Sequence, residues 1–463
     1  MNFDLIVLGS GPGGYVAAIR ASQLGMNVAI VEKSELGGIC LNWGCIPTKA
    51  LLKSAQVYNY VKHAENYGLE ITGEATVNFE KVIKRSRDVA NTMSKGIEFL
   101  FKKNKITVIK GFGKIISQGK VSVQKENDEV EIISAAKIII ATGARSKDFS
   151  SFKQDGKNII GYREALSLNE LPQSMAVIGS GAIGTEFAFF YKSMGVDVTI
   201  IEFLPEIVPL EDEEVSKQLA RSFKKAGIKV MTDTKVEKVE IIDAKCNVIY
   251  SDKKGQNSFT CDVVLSAVGV VSNLENIGIE ELGIELEYGK IKTDKNLMTN
   301  IEGIYAIGDV INTPALAHVA SAEGIYCVEK IAGMTPSEID YNNIPSCIYT
   351  TPEVASVGLT ERQVKERNIE YKIGKFPFMA SGKATAAGNK DGFIKLIFDA
   401  KDDQLLGAHF IGDNIAEMIA EMVILKKLNG KAIDLIKSIH PHPSLSEAIM
   451  EAAAVVHNEV IHL

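Results

Sequence analysis

At 463 residues, with 46% hydrophobic and 24% charged side chains, the chain has the composition of an ordinary globular protein and room for two to four domains. Its net charge of -7 argues against a nucleic-acid binder, and no run approaches the ~18 uninterrupted apolar residues of a membrane span. Six cysteines in a chain this long do not make a disulfide framework. With a first strand that begins near Met1 and leaves no room for a leader, they predict a protein of a reducing cytoplasm.

The N-terminus reads as a strand, FDLIVLGS, running into Gly9-Ser10-Gly11-Pro12-Gly13-Gly14, then a helical pattern and a second strand, NVAIVEK. This is G-x-G-x-x-G between strand and helix, with the acid Glu32 eighteen residues past Gly14. Gly9 permits a tight turn, Gly11 lets backbone approach a pyrophosphate, and Gly14 lets helix and strand pack closely. The helix N-terminus supplies N–H groups and partial positive charge. Glu32 is placed to accept hydrogen bonds from ribose hydroxyls. A tight turn without a ligand is the alternative for this stretch taken alone.

GGICLNWGCIPTKALL follows, with Cys40 and Cys45 five positions apart in sequence number. Structural zinc sites need four ligands, and no second close pair exists in the chain. A disulfide closing so short a loop adds little chain-entropy stabilisation. A redox-active pair is the better reading. Pro47 suits the first turn of a helix, which puts Cys45 at or just before a helix N-terminus, where the dipole favours a thiolate.

The nucleotide pattern then repeats. MAVIG is a strand, Gly179, Gly181 and Gly184 form a second G-x-G-x-x-G, and Glu202 again lies eighteen residues past the third glycine. Each copy is followed by a β-rich insertion and a returning strand, KIIIATGA and DVVLSAVG. A duplicated dinucleotide pattern predicts two dinucleotides, and the simplest chemistry for such a pair is electron transfer between a flavin and a nicotinamide. GIYAIGDV is a buried strand ending at Asp309, which could meet hydroxyls on the flavin side; an acid in a plain strand-to-helix turn is the alternative.

Near the C-terminus, HPHPSLSE places Glu447 five residues after His442. A histidine positioned by a carboxylate can take and return a proton at a reacting dithiol. The same residues read alone as a capping box, with Ser444 as N-cap and Glu447 at N3.

GSGPGG, GGICLNWGCIPTKALL, IIIATGA, GSGAIGTEFA, YAIGDV, YTTPEVASVGLTE and HPHPSLSE together resemble the pyridine nucleotide–disulfide oxidoreductases, class I, along essentially the whole chain. The motifs look most like those of members that oxidise protein-bound dihydrolipoamide to lipoamide, reduce NAD+ and serve 2-oxo acid dehydrogenase complexes. The resemblance implies that Cys45 contacts FAD, that Cys40 exchanges with lipoamide, that His442 is the acid–base residue and that Glu447 orients it. It implies that Lys49 lies near the flavin, ion-paired with Glu186, and that the His442–Pro443 bond is cis. By the same resemblance, Gly9, Gly11, Gly14, Glu32, Lys49, Gly113, Thr142, Gly143, Asp309 and Ala317 form the FAD site. Gly179, Gly181, Gly184, Glu186, Glu202 and Gly269 form the NAD site. The partners implied are a second copy of the chain, as a homodimer whose active site spans both copies, and lipoyl-bearing acyltransferase subunits. No metal, nucleic acid or membrane is expected.

Related reductases use NADPH and need arginines after the second strand of the nicotinamide fold. Here that strand ends Glu202-Phe203-Leu204-Pro205, which suits NAD. No C-terminal cysteine pair of the mercuric reductase kind is present, and Ala182 stands where glutathione reductases have a tyrosine. One departure is Val270-Val271 after Gly269, where many relatives carry two arginines. An NAD(P)H-dependent reductase of another disulfide or a metal is the alternative activity, and a scaffold subunit is the non-enzymatic one.

The expected fold is α/β: two Rossmann-like dinucleotide-binding domains, for FAD over 1–148 and NAD over 149–271. A central segment, 272–342, completes the FAD site, and an α+β C-terminal dimerisation domain occupies 343–463.

Overall fold

The computed structural model describes residues 1–463, which divide into two compact units. The first comprises Met1–Leu51, Glu80–Lys147 and Gly269–Ile339. Its centre is a sheet in which Asn2–Leu8 lies parallel between Val28–Glu32 and Val130–Ile140, with Leu5 opposite Val28 on one side and Lys137 on the other. Thr107–Lys110 extends one edge, and Ile304–Ala306 pairs parallel with the end of Val130–Ile140. Leu5 to Leu8 and Ile138 to Ile140 are unbroken apolar runs, all buried, as expected of strands covered on both faces. Val130–Ile140 serves two ladders. Its first half pairs antiparallel with Lys120–Gln124 of the expected β-rich insertion, and its apolar end joins the parallel core.

The helix Pro12–Gln23 begins on a proline and packs against Ala317–Ile331. Small residues set that approach: a Cβ on Gly324 would stand 2.6 Å from the Gly13 carbonyl oxygen. Arg20 and Glu329 close the helix pair with an ion pair at 2.6 Å. The 25-residue helix Phe79–Lys103 is an element that motif reading passed over, because it carries no chemistry-bearing signature.

The second unit comprises Leu52–Phe79, Asp148–Val268 and Asp340–Leu463. It repeats the parallel plan with Lys229–Met231, Asp197–Ile201, Ser174–Ile178, Val263–Ser266 and Ile159–Ile160 in that order. A three-stranded antiparallel sheet, Lys235–Ile242, Lys245–Asp252 and Gly255–Cys261, forms the second β-rich insertion. The C-terminal part is a five-stranded antiparallel sheet with the helices Ile415–Lys427 and Glu447–Val456 against it. Gly374 lets the last helix seat closely, since a Cβ there would stand 1.8 Å from the Ala452 carbonyl oxygen. No helix in the structure is long and apolar enough to cross a membrane.

A charged group sits inside this second unit. The Lys395 ammonium, buried on the Phe393–Asp399 strand, lies 2.9 Å from Asp212, 2.9 Å from Glu214 and 2.7 Å from Glu361. Asp212 also caps the helix Glu213–Lys225 by accepting from the Glu214 N–H. Burial works against the Glu361 carboxylate, but hydrogen bonds from Lys365 and Lys395 outweigh it and hold the pKa down at about 2.

Lys395→Met should therefore destabilise the unit by about 3–5 kcal/mol, because Asp212 would be left buried without its counter-ion. Glu361 has a folded pKa depressed below its unfolded value of about 4.3. Its contribution should be complete above that value and lost as pH falls towards about 2. Urea unfolding of wild type and Lys395→Met at neutral and acid pH checks both, with the gap between them narrowing on acidification.

Candidate functional site

The first nucleotide loop is built by contact distances that only glycine tolerates. A Cβ on Gly14 would stand 1.9 Å from the Gly9 carbonyl oxygen, so the helix lies directly on the turn. Gly9 itself has φ +98° and backs onto Ala141. Gly11 differs: a Cβ there meets nothing within 4 Å, so the loop leaves open space at the helix N-terminus. Glu32 ends the second strand and is pinned, with Oε2 accepting from the Ser10 N–H at 2.8 Å and the Ser10 hydroxyl at 2.7 Å. Oε1 accepts from the Ser34 N–H at 2.9 Å. A carboxylate has about four lone-pair sites, so Glu32 keeps acceptor capacity for a ligand hydroxyl.

The second loop repeats this point by point. Gly184 would clash with the Gly179 oxygen at 2.1 Å, Gly179 has φ +96°, and Gly181 faces open space. Glu202 accepts from the Ser180 N–H at 2.9 Å and hydroxyl at 2.6 Å. Ser10 and Ser180 are the site residues that motif reading missed. The signal was available: serine occupies the same place after the first glycine in both copies.

Thr142 and Gly143 follow the core strand, and the Thr142 hydroxyl donates to the Asn273 carbonyl at 2.7 Å. Gly143 has φ +68°. Asp309 lies in the short turn Gly308–Val310, where burial raises its carboxyl pKa and Lys290 opposes the rise. The neighbouring Gly308 N–H donates to Glu323 at 2.6 Å, a fully buried acid also not foreseen. Ala317 opens the helix Ala317–Ile331. Gly113 has a packing reason of its own, since a Cβ there would press on Leu8 at 2.9 Å and Val31 at 3.1 Å. Gly269 has φ +105° and accepts the Lys147 N–H at 3.1 Å. Glu186 is buried and accepts the Tyr349 N–H at 3.0 Å.

Cys45 is the first residue of the helix Cys45–Lys62, where the dipole favours a thiolate, and Lys49 lies one turn on. Cys40 lies on a short helix of its own, Gly38–Trp43, which the sequence did not announce. That helix is seated on the nucleotide loop: a Cβ on Gly38 would stand 2.6 Å from the Gly11 Cα, and the Gly37 N–H donates to the Ser10 hydroxyl at 3.2 Å. The Cys40 and Cys45 side chains are hydrogen-bond partners. The bond to Cys45, then burial, push the Cys40 thiol far up, while Lys49 pulls it down.

In the second unit, His442 Nδ1 lies 2.8 Å from Glu447 Oε1, and the His442–Pro443 bond is cis. The Ser444 N–H donates to Glu447 Oε2 at 2.8 Å. Burial tends to raise the Glu447 pKa, but the bonds from Ser444 and His442 prevail and hold it below the ordinary value. The capping-box alternative is corrected here. The helix starts at Glu447, Ser446 is its N-cap, and Ser444 caps nothing with its side chain. Glu447 is thus available to the histidine. The His442 side chain is 81% exposed in the chain.

A model of the pyridine nucleotide-disulphide oxidoreductases matches residues 3–324, and a model of their dimerisation domain matches residues 344–453. Dihydrolipoyl dehydrogenases of Zymomonas mobilis and Rhizobium etli are each 45% identical over the whole of this chain and 99% of their own. That of Bacillus subtilis is 43% identical over 100% of this chain and 99% of its own. The crystal structure of LpdA from Mycobacterium tuberculosis superposes with a TM-score of 0.90 over 97% of this chain and 99% of that one. At 24% identity it is a likeness of fold.

The two kinds of glycine separate by substitution. Gly14→Ala should fail to fold or lose several kcal/mol, because its Cβ collides with backbone. Gly11→Ala should keep wild-type stability as apoprotein and lose bound flavin, because its Cβ enters only the open space. Thermal unfolding of the apoproteins and flavin absorbance per chain distinguish the two.

Proposed function

The chain belongs to the pyridine nucleotide-disulphide oxidoreductase family, and from that membership we propose that it oxidises protein-bound dihydrolipoamide to lipoamide and reduces NAD+ to NADH. The observation that carries this reading is the Cys40–Cys45 pair at a helix N-terminus, with the His442–Glu447 pair elsewhere in the chain as its base. The protein acts as a homodimer, in support of which residues 344–453 match a dimerisation domain, and it serves acyltransferase subunits that carry the lipoyl arm.

Glu447 holds His442 by Nδ1, which leaves Nε2 to take a proton from a substrate thiol. The resulting thiolate attacks the Cys40 sulfur of the oxidised pair. The Cys40–Cys45 bond breaks and its electrons go to Cys45, whose thiolate is favoured by the helix dipole and Lys49. The second substrate thiol then displaces Cys40 from the mixed disulfide. The substrate leaves as a cyclic disulfide, having lost two electrons and two protons. FAD would be held by Gly9, Gly11, Gly14, Glu32, Thr142, Gly143, Asp309 and Ala317, and when bound it supplies the two-electron acceptor between the Cys45 thiolate and NAD+. Lys49 contributes positive charge beside the pair and Glu186 a buried acid on the nicotinamide side. Gly179, Gly181, Gly184, Glu202 and Gly269 would hold NAD.

His442 is hydrogen-bonded yet largely exposed in one chain, which suits a base that reaches the cysteine pair of a second copy. An isologous dimer then contains two composite sites. Cys40→Ser in one chain and His442→Gln in the other should each be nearly inactive as homodimers. Their purified heterodimer should recover about half the native activity per dimer, since one site carries both changes and the other neither. A heterodimer with no recovered activity would rule out the shared site.

Cofactor choice tests Glu202. Its carboxylate is buried and fixed by Ser180, so it cannot swing away from a 2′-phosphate. NAD+ should be preferred to NADP+ by at least ~10²-fold in kcat/KM with dihydrolipoamide, and equal use of both would contradict the assignment.

A further inference from the structure

Two further cysteines lie together in the second unit. Cys246 is on the strand Lys245–Asp252 and Cys261 ends the strand Gly255–Cys261. The two strands form an antiparallel hairpin in which Cys246 stands directly opposite Cys261. Directly opposed residues project from the same face of a sheet with Cβ atoms ~4.5–5.5 Å apart. The Cα span of such a pair falls in the range a disulfide bridges, ~4.4–6.8 Å. The two side chains lie within interaction range of one another. Each sulfur also faces a backbone carbonyl, Cys246 that of Asn158 at 3.4 Å and Cys261 that of Val263 at 3.4 Å. Both are buried in one apolar cluster with Ala176, Ile178 and Val264, which fixes their position.

We propose that Cys246 and Cys261 are a second redox couple, a dithiol that small hydroperoxides convert to a cross-strand disulfide. The register places the two side chains opposite one another on one face of the hairpin, at a Cα spacing that a disulfide can bridge. The opposed register lets either sulfur react first with the other at hand. The first, as its thiolate, displaces hydroxide from hydrogen peroxide and becomes a sulfenic acid. The other thiol then attacks that sulfur and water leaves. In sum, two thiols lose two electrons and two protons, and one peroxide becomes two waters. A thiol already in contact traps the sulfenic acid before it climbs to sulfinic acid. The product ties the ends of the Lys245–Cys261 hairpin together. The cluster beneath it includes Ala176 and Ile178 of the strand that enters the second nucleotide loop.

The test uses the full-length flavin-loaded protein in a Cys40→Ser background, so that no disulfide can be passed on from the reacting pair. The sample is exposed to hydrogen peroxide, quenched in acid, alkylated in denaturant and digested without reductant. Mass spectrometry should find the Cys246 and Cys261 peptides joined, lighter by two hydrogens than their sum, and separated by later reduction. Recovery of both cysteines as alkylated thiols, or as sulfinic acids without a joined peptide, would overturn the proposal. Cys246→Ser and Cys261→Ser add a second reading. The cysteine left in each should be caught as sulfenic acid by a cyclic 1,3-diketone, and no labelling in either variant would contradict the couple. If these variants do not fold, peptide mapping of the Cys40→Ser protein decides alone.

Discussion

The hydroxyl of Ser10 joins three parts of the first unit that the chain reaches at different times. It donates to Glu32 at the end of the second strand, it belongs to the glycine turn after the first, and it accepts the Gly37 N–H at the start of the cysteine segment. Because Glu32 also takes the Ser10 N–H, the turn cannot shift along the strand without breaking two buried hydrogen bonds. The cysteine helix is then pressed on Gly11 through Gly38. The short helix that carries Cys40 is thereby tied to the glycine loop by direct backbone contacts.

The second copy of the motif uses the same serine–glutamate link for a different purpose. Ser180 holds Glu202, and its hydroxyl accepts from the Val208 N–H at 3.3 Å rather than from a cysteine segment. Val208 has φ +44°, a left-handed conformation rare for a β-branched residue, within the stretch that follows the acid. One architectural device therefore anchors the cysteine segment in the first fold and the loop beyond the strand in the second. The duplication is of scaffold, while the chemistry sits in what each scaffold has been given to hold.

Close backbone approach recurs wherever elements must stay in register. Gly324 against Gly13, Gly374 against Ala452 and Gly14 against Gly9 all place backbone where a side chain would collide. The second unit adds a charged version. Lys395 on the antiparallel sheet meets Asp212 and Glu214 at the start of the helix Glu213–Lys225, and Glu361 besides. A buried ammonium with three carboxylates is costly to separate and has one geometry that satisfies it, so it specifies how helix and sheet face each other.

The motifs with fixed spacing were legible from residues alone. Both G-x-G-x-x-G turns, their acids eighteen residues on, Cys45 at a helix start and the pairing of His442 with Glu447 all follow from local chemistry, because turns, caps and helix dipoles act over a few residues. What the sequence could not state was anything set by contact between distant segments. Ser10 needed the folded loop to find both Glu32 and Gly37, and Gly113 proved to be held by Leu8 and Val31. Ser444 looked like a cap, but the helix begins three residues later, and Glu447 takes the Ser444 N–H on one oxygen and His442 on the other. Cys246 and Cys261, fifteen positions apart and unremarked as text, became neighbours only when the hairpin set its register. Local rules choose which residues can do the chemistry. Long-range packing, which no short window contains, decides which of them meet.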